Sequence, residues 1–212
     1  MKLFDCFMYN NEDILLDLRL NILNDFVDKF IIVESYFDHQ GNKKKLNFNL
    51  ENFSNFKDKI KYIKLYNFPK NFSPWQRENY NRNFLINGLN EAEENDYVMI
   101  SDLDEIPKIE NLNIFKKKKY IIFNQKMFYY KFNLSLPNLN WFGSKACKLK
   151  HLKDIDFLRN IKNREYSYFR LDTLFSRHKQ NSVQIIENGG WHFSNLKTHK
   201  ELEKKYLNDE NH

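Results

Sequence analysis

The sequence predicts an α/β fold: a mostly parallel central sheet flanked by helices, in a single domain over residues 1–212. Several short apolar runs each end in polar residues, as buried strands of a parallel sheet do. A segment with helical spacing separates the first two runs, and a strand–helix–strand succession favours parallel pairing. Hydrophobic residues make up 42%, with only five glycines and four prolines, which argues against disorder. The chain is long enough to bury a full core.

The amino-terminal half is predicted to alternate strands and helices. Residues 2–9 form the first strand, and apolar residues recur at helical spacing over 14–26. The second strand is predicted at 30–33 and the third at 60–66. A helix then runs from about residue 75 to about 94.

Three carboxylates follow the strand predicted at Tyr97–Ile100, namely Asp102, Asp104 and Glu105. Pro107 ends the run, because proline cannot continue a central strand. Ligands of open α/β sheets bind outside the carboxyl ends of the strands. Carboxylates there can hold a divalent cation together with substrate phosphates. An acidic loop without function is the alternative, and the strand before it and the proline after it favour a site.

Other polar residues stand where a nucleotide would bind. Glu34 ends the second strand and could accept hydrogen bonds from a ribose or a base. Arg77 and Arg82 lie near the start of a helix, where a phosphate gains from the helix terminus and from guanidinium donors. The alternatives are a surface acid beside lysines 43–45 and pairing of the arginines with Glu78.

Beyond Pro107 the pattern predicts shorter strands. Tyr120–Phe123 and residues 127–134 are strand-like, in mixed or antiparallel pairing, and Val183–Ile186 is the last short strand. Residues 141–144 form a loop whose tryptophan is either a stacking surface for a sugar ring or simple packing.

His192 follows two glycines, Gly189 and Gly190, which permit close approach of the backbone to a ligand. A lone histidine is usually structural. Here the flexible segment before it and its neighbour Trp191 favour a role as metal ligand or phosphate donor. A polar helix is predicted to begin at Thr198.

The charge pattern favours an anionic ligand. The net charge is +6 and the pI is near 9.1, which suits a nucleotide, a nucleic acid or a membrane surface. The basic residues are spread along the chain, and the run at 116–119 is typical of a solvated helix end, so nucleic-acid binding is not favoured.

Composition also bears on location. No apolar run approaches the ~20 residues of a membrane span, and the amino terminus lacks the features of a signal peptide. Cys6 and Cys147 have no metal-ligand spacing, which favours reduced thiols. We therefore expect a cytoplasmic protein.

Several blocks in fixed order resemble glycosyltransferase family 17 over about residues 3–202. They are NNE, LRLN and VDKFIIVES near the start, then WQRE, YVMISDLDEIP, WFGS, GGWHFS and HKE. Members of that family continue well beyond the last block, so we expect a carboxyl-terminal part that is shorter here.

The resemblance implies a GT-A-like fold for nucleotide-diphospho-sugar transfer, with a UDP-sugar donor, in particular UDP-N-acetylglucosamine, and a glycan acceptor. It implies inversion at the anomeric carbon and a divalent metal, Mn2+ or Mg2+, that neutralises the leaving diphosphate. An inverting transfer also needs a carboxylate that takes the proton of the acceptor hydroxyl.

The site residues follow from this resemblance together with the residue pattern. The expected metal ligands are Asp102, Asp104 and His192. The expected donor-binding residues are Glu34, Arg77, Arg82, Asp102 and His192. Asp102 and Glu105 are the expected catalytic residues. The general base is left among Glu105, Asp172 and Glu187, with Glu105 first because it adjoins the metal motif.

Two other functions are compatible with the residues. A metal-dependent nucleotidyl- or phosphotransferase could use the same acids on a different electrophile. A non-catalytic carbohydrate-binding relative is the other, although the joint presence of Asp102, Asp104, Arg77 and His192 speaks against it.

Overall fold

Two β-sheets form the framework of the computed structural model, which describes residues 1–38, 40–69, 71–173, 175–197, 200 and 202–203. The larger sheet has seven strands and the smaller has four. The strands are β1 Leu3–Met8, β2 Lys29–Ser35, β3 Ile60–Leu65, β4 Tyr97–Ile100, β5 Glu105–Pro107, β6 Tyr120–Phe123, β7 Gln125–Tyr129, β8 Ser135–Trp141, β9 Lys145–Lys148, β10 Val183–Ile186 and β11 Gly190–Ser194. The α-helices are α1 Asp13–Leu23, α2 Pro74–Phe84 and α3 Ile155–Asn160.

The larger sheet is mostly parallel, as predicted. Its order is β10-β6-β9-β4-β1-β2-β3, and β9 runs antiparallel to both of its neighbours while the other six strands share one direction. The four strands predicted in the amino-terminal half lie side by side here. Glu34 and Asp102 therefore stand at the same edge of the sheet, as the parallel pairing of their strands with β1 requires.

Both faces of this sheet are buried because the apolar side chains of β1 and β2 alternate between them, and Asp5 is the one charged residue within β1. Phe30 and Ile32 of β2 join the core cluster under α1, whereas Ile31 and Val33 join the cluster on the other face, with α3. Helix α1 turns its buried leucines towards the sheet. The sheet is thus a rigid support for whatever follows its strand ends.

The second predicted helix is wrong in length. Ser73 and Gln76 form a capping box in front of α2, but the α-helix ends at Phe84 and a 3-10 turn covers Leu85–Gly88. A Cβ on Gly88 would lie 2.1 Å from Ile31 Cγ2. The α-helix thus ends ten residues before the predicted boundary, and the turn that follows it packs closely on β2.

The smaller sheet has the order β5-β11-β7-β8, and most of it was not predicted. Residues 105–107 and 190–194 were expected to be loop and turn, but they pair as antiparallel strands with His192 opposite Glu105. Gly190 has φ +128°, and a Cβ there would lie 2.2 Å from the Ile106 carbonyl oxygen. Trp141, predicted in a loop, is the last residue of β8.

In the described part of the chain, no helix has both the length and the apolar character needed to cross a bilayer. Cys6 and Cys147 are free and buried, in agreement with the predicted reduced thiols. The predicted cytoplasmic location stays a prediction. Thr198, where a helix was expected to begin, lies outside the described residues.

Candidate active site

Arg19 of α1 holds the acidic loop, which we define as residues 101–105. Its guanidinium pairs with Asp5 of β1 at 2.7 and 2.8 Å, and both side chains are fully buried. It also donates to Ser101 Oγ at 2.5 Å and to the carbonyl oxygens of Asp102 at 3.2 Å and Glu105 at 2.9 Å. The buried pair therefore attaches the loop to the centre of the sheet.

Glu105, the last residue of the acidic loop, is fully buried. Its Oε1 accepts from Trp141 Nε1 at 2.6 Å and from Arg159 Nη2 at 2.9 Å. Its Oε2 accepts from Arg159 Nη1 at 2.6 Å and from the Asp102 amide at 2.8 Å. Burial alone would raise the pKa of Glu105, but the Arg159 guanidinium outweighs it and holds that pKa below its usual value.

Gly143 makes room for this carboxylate. A Cβ at that position would lie 2.4 Å from Glu105 Cδ, so a larger residue would displace the acid. The Gly143 carbonyl oxygen in turn accepts from Arg159 Nη1 at 2.8 Å. The short segment after β8 thus forms a fitted wall around the Glu105–Arg159 pair.

Arg159, at the end of α3, joins two acids of the motif. Its Nη2 lies 2.7 Å from Asp102 Oδ2, next to the pair with Glu105. Although burial alone would lower it, these two carboxylates raise the pKa of Arg159. Asp102 Oδ1 lies 3.5 Å from Arg82 Nη2 and has no hydrogen-bond partner among the described residues. Arg82 is buried and also pairs with Glu78.

Asp104 points to the other side of the loop, towards His192 of β11. His192 Nε2 lies 3.4 Å from Asp104 Oδ2, and the Phe193 amide donates to the Asp104 carbonyl oxygen at 2.9 Å. Burial alone would lower the pKa of His192, but Asp104 raises it above its ordinary value. The imidazole also packs on Trp141, with ring centroids 4.6 Å apart.

Comparison with known proteins identifies the family. The sequence model of glycosyltransferase family 17 matches residues 1–206. The chain belongs to this family. A rat protein named beta-1,4-mannosyl-glycoprotein 4-beta-N-acetylglucosaminyltransferase is 27% identical over 208 residues, which cover 87% of this chain and 38% of that protein. The human protein of the same name is 35% identical over 108 residues, 46% of this chain and 20% of that protein.

The chain thus spans about two fifths of the length of the rat relative that it matches. Among solved structures, the 2-C-methyl-D-erythritol 4-phosphate cytidylyltransferase of Francisella tularensis aligns over 99% of this chain and 100% of that one. The identity is 13% and the TM-score 0.44. That score is too low to indicate a shared fold or function.

In this family 17 chain the three expected metal ligands do not form one group. Arg159 holds Asp102 Oδ2, while Asp104 and His192 face each other. Within the described ranges, no three His, Cys, Asp or Glu side chains stand close enough together to hold a metal ion. Asp104 and His192 remain as a carboxylate–imidazole pair. Asp104 would give a cation one oxygen ligand, and His192 would give it a nitrogen ligand when its imidazole is neutral, with substrate phosphates completing the shell.

Glu105, our first choice as general base, is in the wrong environment for that role. Its carboxylate is fully buried, and its four lone-pair positions are used by three partners within the chain. Neither carboxylate oxygen of Glu105 is therefore free to accept the proton of an acceptor hydroxyl. The structure gives Glu105 a positioning role: it orients Arg159, Trp141 and the Asp102 amide.

Glu34 also has its hydrogen bonds inside the chain. Lys44 Nζ, the Tyr62 hydroxyl and the amides of residues 47 and 48 donate to it at 2.8–3.1 Å. Because its four acceptor positions are filled, Glu34 holds the segment 44–48 at the edge of the sheet. We predicted that Glu34 contacts the donor nucleotide. In the structure its oxygens instead bond to the segment 44–48 and to Tyr62.

Arg77 lies against the turn at Gly41, which precedes the segment 44–48. Gly41 has φ +89°, and a Cβ on it would lie 2.8 Å from Arg77 Cζ. Of the two arginines predicted to bind a phosphate, the structure therefore brings Arg82 to the acidic loop, whereas Arg77 packs against Gly41. The donor-binding roles of both stay predictions.

The sequence reasoning missed Arg19 and Arg159. Arg19 had a signal, because it stands one helical turn from Leu15 and Leu23 on the buried face of α1. A charged residue on such a face needs a buried partner. For Arg159 no signal in the sequence indicated a role in the site, because 57 positions separate it from Asp102.

The Arg159→Lys enzyme is expected to turn over about 10–100-fold more slowly. Losses of this size are typical when a residue that orients the groups of a site is replaced. A lysine is a point charge and cannot bond two carboxylates in fixed geometry. Kinetics with varied donor should show the loss in kcat rather than in KM, at a temperature at which circular dichroism shows the variant to be folded. The melting temperature should fall, because a lysine cannot make all the bonds of Arg159 to the buried Glu105. Arg164→Lys, at an exposed arginine over Tyr166, is the matched control. Equal activity of the two variants would contradict the positioning role.

Proposed function

We propose that this chain is a metal-dependent inverting glycosyltransferase with a GT-A-like fold. It transfers N-acetylglucosamine from UDP-N-acetylglucosamine to a hydroxyl of a glycan. The observation that carries the proposal is the acidic loop at the carboxyl end of β4, where Asp104 lies beside His192 and pairs with no arginine among the described residues. The names of the rat and human relatives support the choice of sugar.

The donor diphosphate is proposed to bind at the open side of the acidic loop. Asp104 and His192 would hold the divalent cation, which neutralises the diphosphate when bound. Arg82 is buried beside Asp102 Oδ1 and supplies positive charge at the same edge. Arg159 and Arg19 act from beneath by keeping the loop rigid, so that these groups are preorganised for the transition state.

Glu187 is the candidate for the general base that fits best. It follows β10, which runs in the same direction as β4, so it stands at the same sheet edge as the acidic loop. It is exposed and accepts from Asn124 Nδ2 at 2.7 Å. Asp172 pairs with Arg170 at 2.8 Å and Lys179 at 2.6 Å, which hold its pKa far below the usual value.

The Glu187→Gln enzyme is therefore expected to lose about 10²–10⁴-fold in kcat, the contribution of a general base. The KM for the donor should stay unchanged because the amide keeps the size of the carboxylate. Steady-state kinetics with varied donor and acceptor measure both quantities. The matched variant Asp172→Asn should keep nearly full activity, and the reverse order of the two variants would refute this assignment.

Replacement of His192 by glutamine is expected to weaken donor binding or turnover by about 10–100-fold. Glutamine keeps the approximate size of the imidazole but offers no ring nitrogen to a cation. Titration of activity with Mn2+ should show a higher metal requirement for the variant than for wild type. His178→Gln, at a half-buried histidine that stacks on Phe157, is the control, and an equal metal requirement in both would make His192 structural.

One assay tests the proposed reaction against the alternatives. The protein is incubated with UDP-N-acetylglucosamine, other nucleotide sugars or nucleoside triphosphates, with and without Mn2+, and with glycan acceptors. Transfer or slow hydrolysis of UDP-N-acetylglucosamine that requires metal is the expected result. Turnover of triphosphates alone would favour a nucleotidyl- or phosphotransferase, and binding of glycans without turnover would favour a non-catalytic carbohydrate-binding protein.

A further inference from the structure

A cluster of basic residues lies at the amino end of β4, whereas the candidate active site lies at the carboxyl end of that strand. A cavity of about 370 Å³ is lined by lysines 116–119, by Lys148, Lys150 and His151, and by Tyr97. Lys116 ends the turn before β6, and the other three consecutive lysines follow it. Lys148 ends β9, and Lys150 and His151 follow that strand. Two segments about thirty positions apart in the sequence thus contribute to one concave surface.

The charge of this cavity is poorly balanced within the chain. Lys118 pairs with Glu165 at 2.8 Å. For the other five lysines the structure shows no ion pair with any described residue; Lys150 Nζ donates to the neutral Asn95 Oδ1 at 2.8 Å. Burial lowers the pKa of His151, and Lys119, Lys150 and Lys148 lower it further. The three lysines thus place the histidine in a positive field.

The cavity is separate from the candidate active site. Tyr97 begins β4 at the amino end, whereas Asp102 follows the carboxyl end of the same strand. At ~3.3 Å per residue, the five positions between them correspond to roughly 16 Å. An anion in the cavity would therefore not contact the groups around Asp104 and His192.

We propose that this cavity is a second binding site, for a multivalent phosphate-type anion. Several ammonium groups around one concavity attract multiply charged oxyanions more strongly than single charges, because their potentials add. The Ser182 hydroxyl also lines the cavity and supplies a neutral polar group. The phosphates belong either to a free polyphosphate or to the phosphorylated headgroup of a lipid.

The shape argues against single-stranded nucleic acid as the ligand. Such chains are bound along extended grooves with aromatic rings on which the bases stack. Here the basic residues line one open concavity rather than an extended groove. The Tyr97 ring that lines it is buried against Phe115, and its hydroxyl donates to the Phe115 carbonyl oxygen at 2.5 Å.

The test measures binding of sodium tripolyphosphate by calorimetry, without divalent metal and at low ionic strength. Lys116→Gln/Lys117→Gln/Lys119→Gln removes three exposed charges from the cavity. The control Lys57→Gln/Lys126→Gln/Lys131→Gln removes the same charge from exposed lysines elsewhere. The cavity variant is expected to bind at least about tenfold more weakly than the control, and added salt should weaken wild-type binding because it screens exposed charges.

Equal binding by the two triple variants would overturn the proposal, because the attraction would then follow net charge alone. Undetectable binding by wild type would overturn it as well. Sedimentation with phosphatidylcholine vesicles, with and without phosphatidylinositol 4,5-bisphosphate, identifies the source of the phosphate, because this headgroup carries several phosphate charges. Vesicle binding that needs the three lysines and is displaced by tripolyphosphate assigns a lipid headgroup. Tripolyphosphate binding without vesicle binding assigns a free anion.

Discussion

The Asp104→Asn enzyme is expected to retain its fold and to turn over about 10²–10³-fold more slowly than wild type, the loss seen when one preorganised charge-stabilising group is removed. Asparagine keeps the shape of the side chain but removes the negative charge opposite His192. The side chain is 26% exposed, and within the described ranges its ion-pair partner is His192 rather than an arginine. Its loss should therefore affect the reaction and not the core.

The comparison needs both a transfer assay and a thermal melt. Asp25→Asn, at an exposed acid outside the site, should match wild type in both. Wild-type enzyme in excess chelator should fall to the level of Asp104→Asn, and the variant should respond little to the same treatment. Undiminished transfer by Asp104→Asn, or by wild type with chelator, would exclude Asp104 as a metal ligand.

Replacement of Arg19 by methionine is expected to lower the free energy of unfolding by about 3–5 kcal/mol, because it leaves a buried carboxylate without its counter-ion. Asp5 would remain fully buried without its counter-ion, and the carbonyl oxygens of the acidic loop would lose their donor. Since domains are stable by only about 5–15 kcal/mol, much of the protein should unfold in mild urea.

A double variant separates the ion pair from the support of the loop. Asp5→Leu/Arg19→Met removes both charges, so most of the lost stability should return, as it does when buried pairs are replaced by apolar residues. Transfer activity should stay low because the acidic loop remains without its anchor. Arg164→Met, at an exposed position, should change the free energy of unfolding by less than about 0.5 kcal/mol. A double variant with full activity would show that Arg19 serves stability alone.

The central strands were predictable because each is a short apolar run whose side chains are buried on both faces. Residues 97–100 and 30–33 show this most clearly, and the edge at which Glu34 and Asp102 stand followed from right-handed crossovers. The smaller sheet was not predictable. Its strands are short, and β11 begins at a glycine in a left-handed region, so local pattern favours a turn.

The partner and the burial of each acid could likewise not be predicted from the sequence. Asp102, Asp104 and Glu105 are adjacent and chemically similar, yet Arg159 takes the first and third while His192 faces the second. Arg159 comes from a helix far along the chain. Such long-range pairs decide which carboxylate is buried and which remains open, and no spacing rule within the motif contains that information.

By itself, the sequence determined the mostly parallel sheet, the place of the acidic motif at a strand end and the family to which the chain belongs. These depend on local burial patterns and on short blocks of residues. Only the tertiary structure decided that Glu105 supports the site from beneath and that the lysines of 116–119 meet those that follow β9. Those outcomes depend on which distant elements pack together, because charge and burial are properties of the assembled environment rather than of the residue.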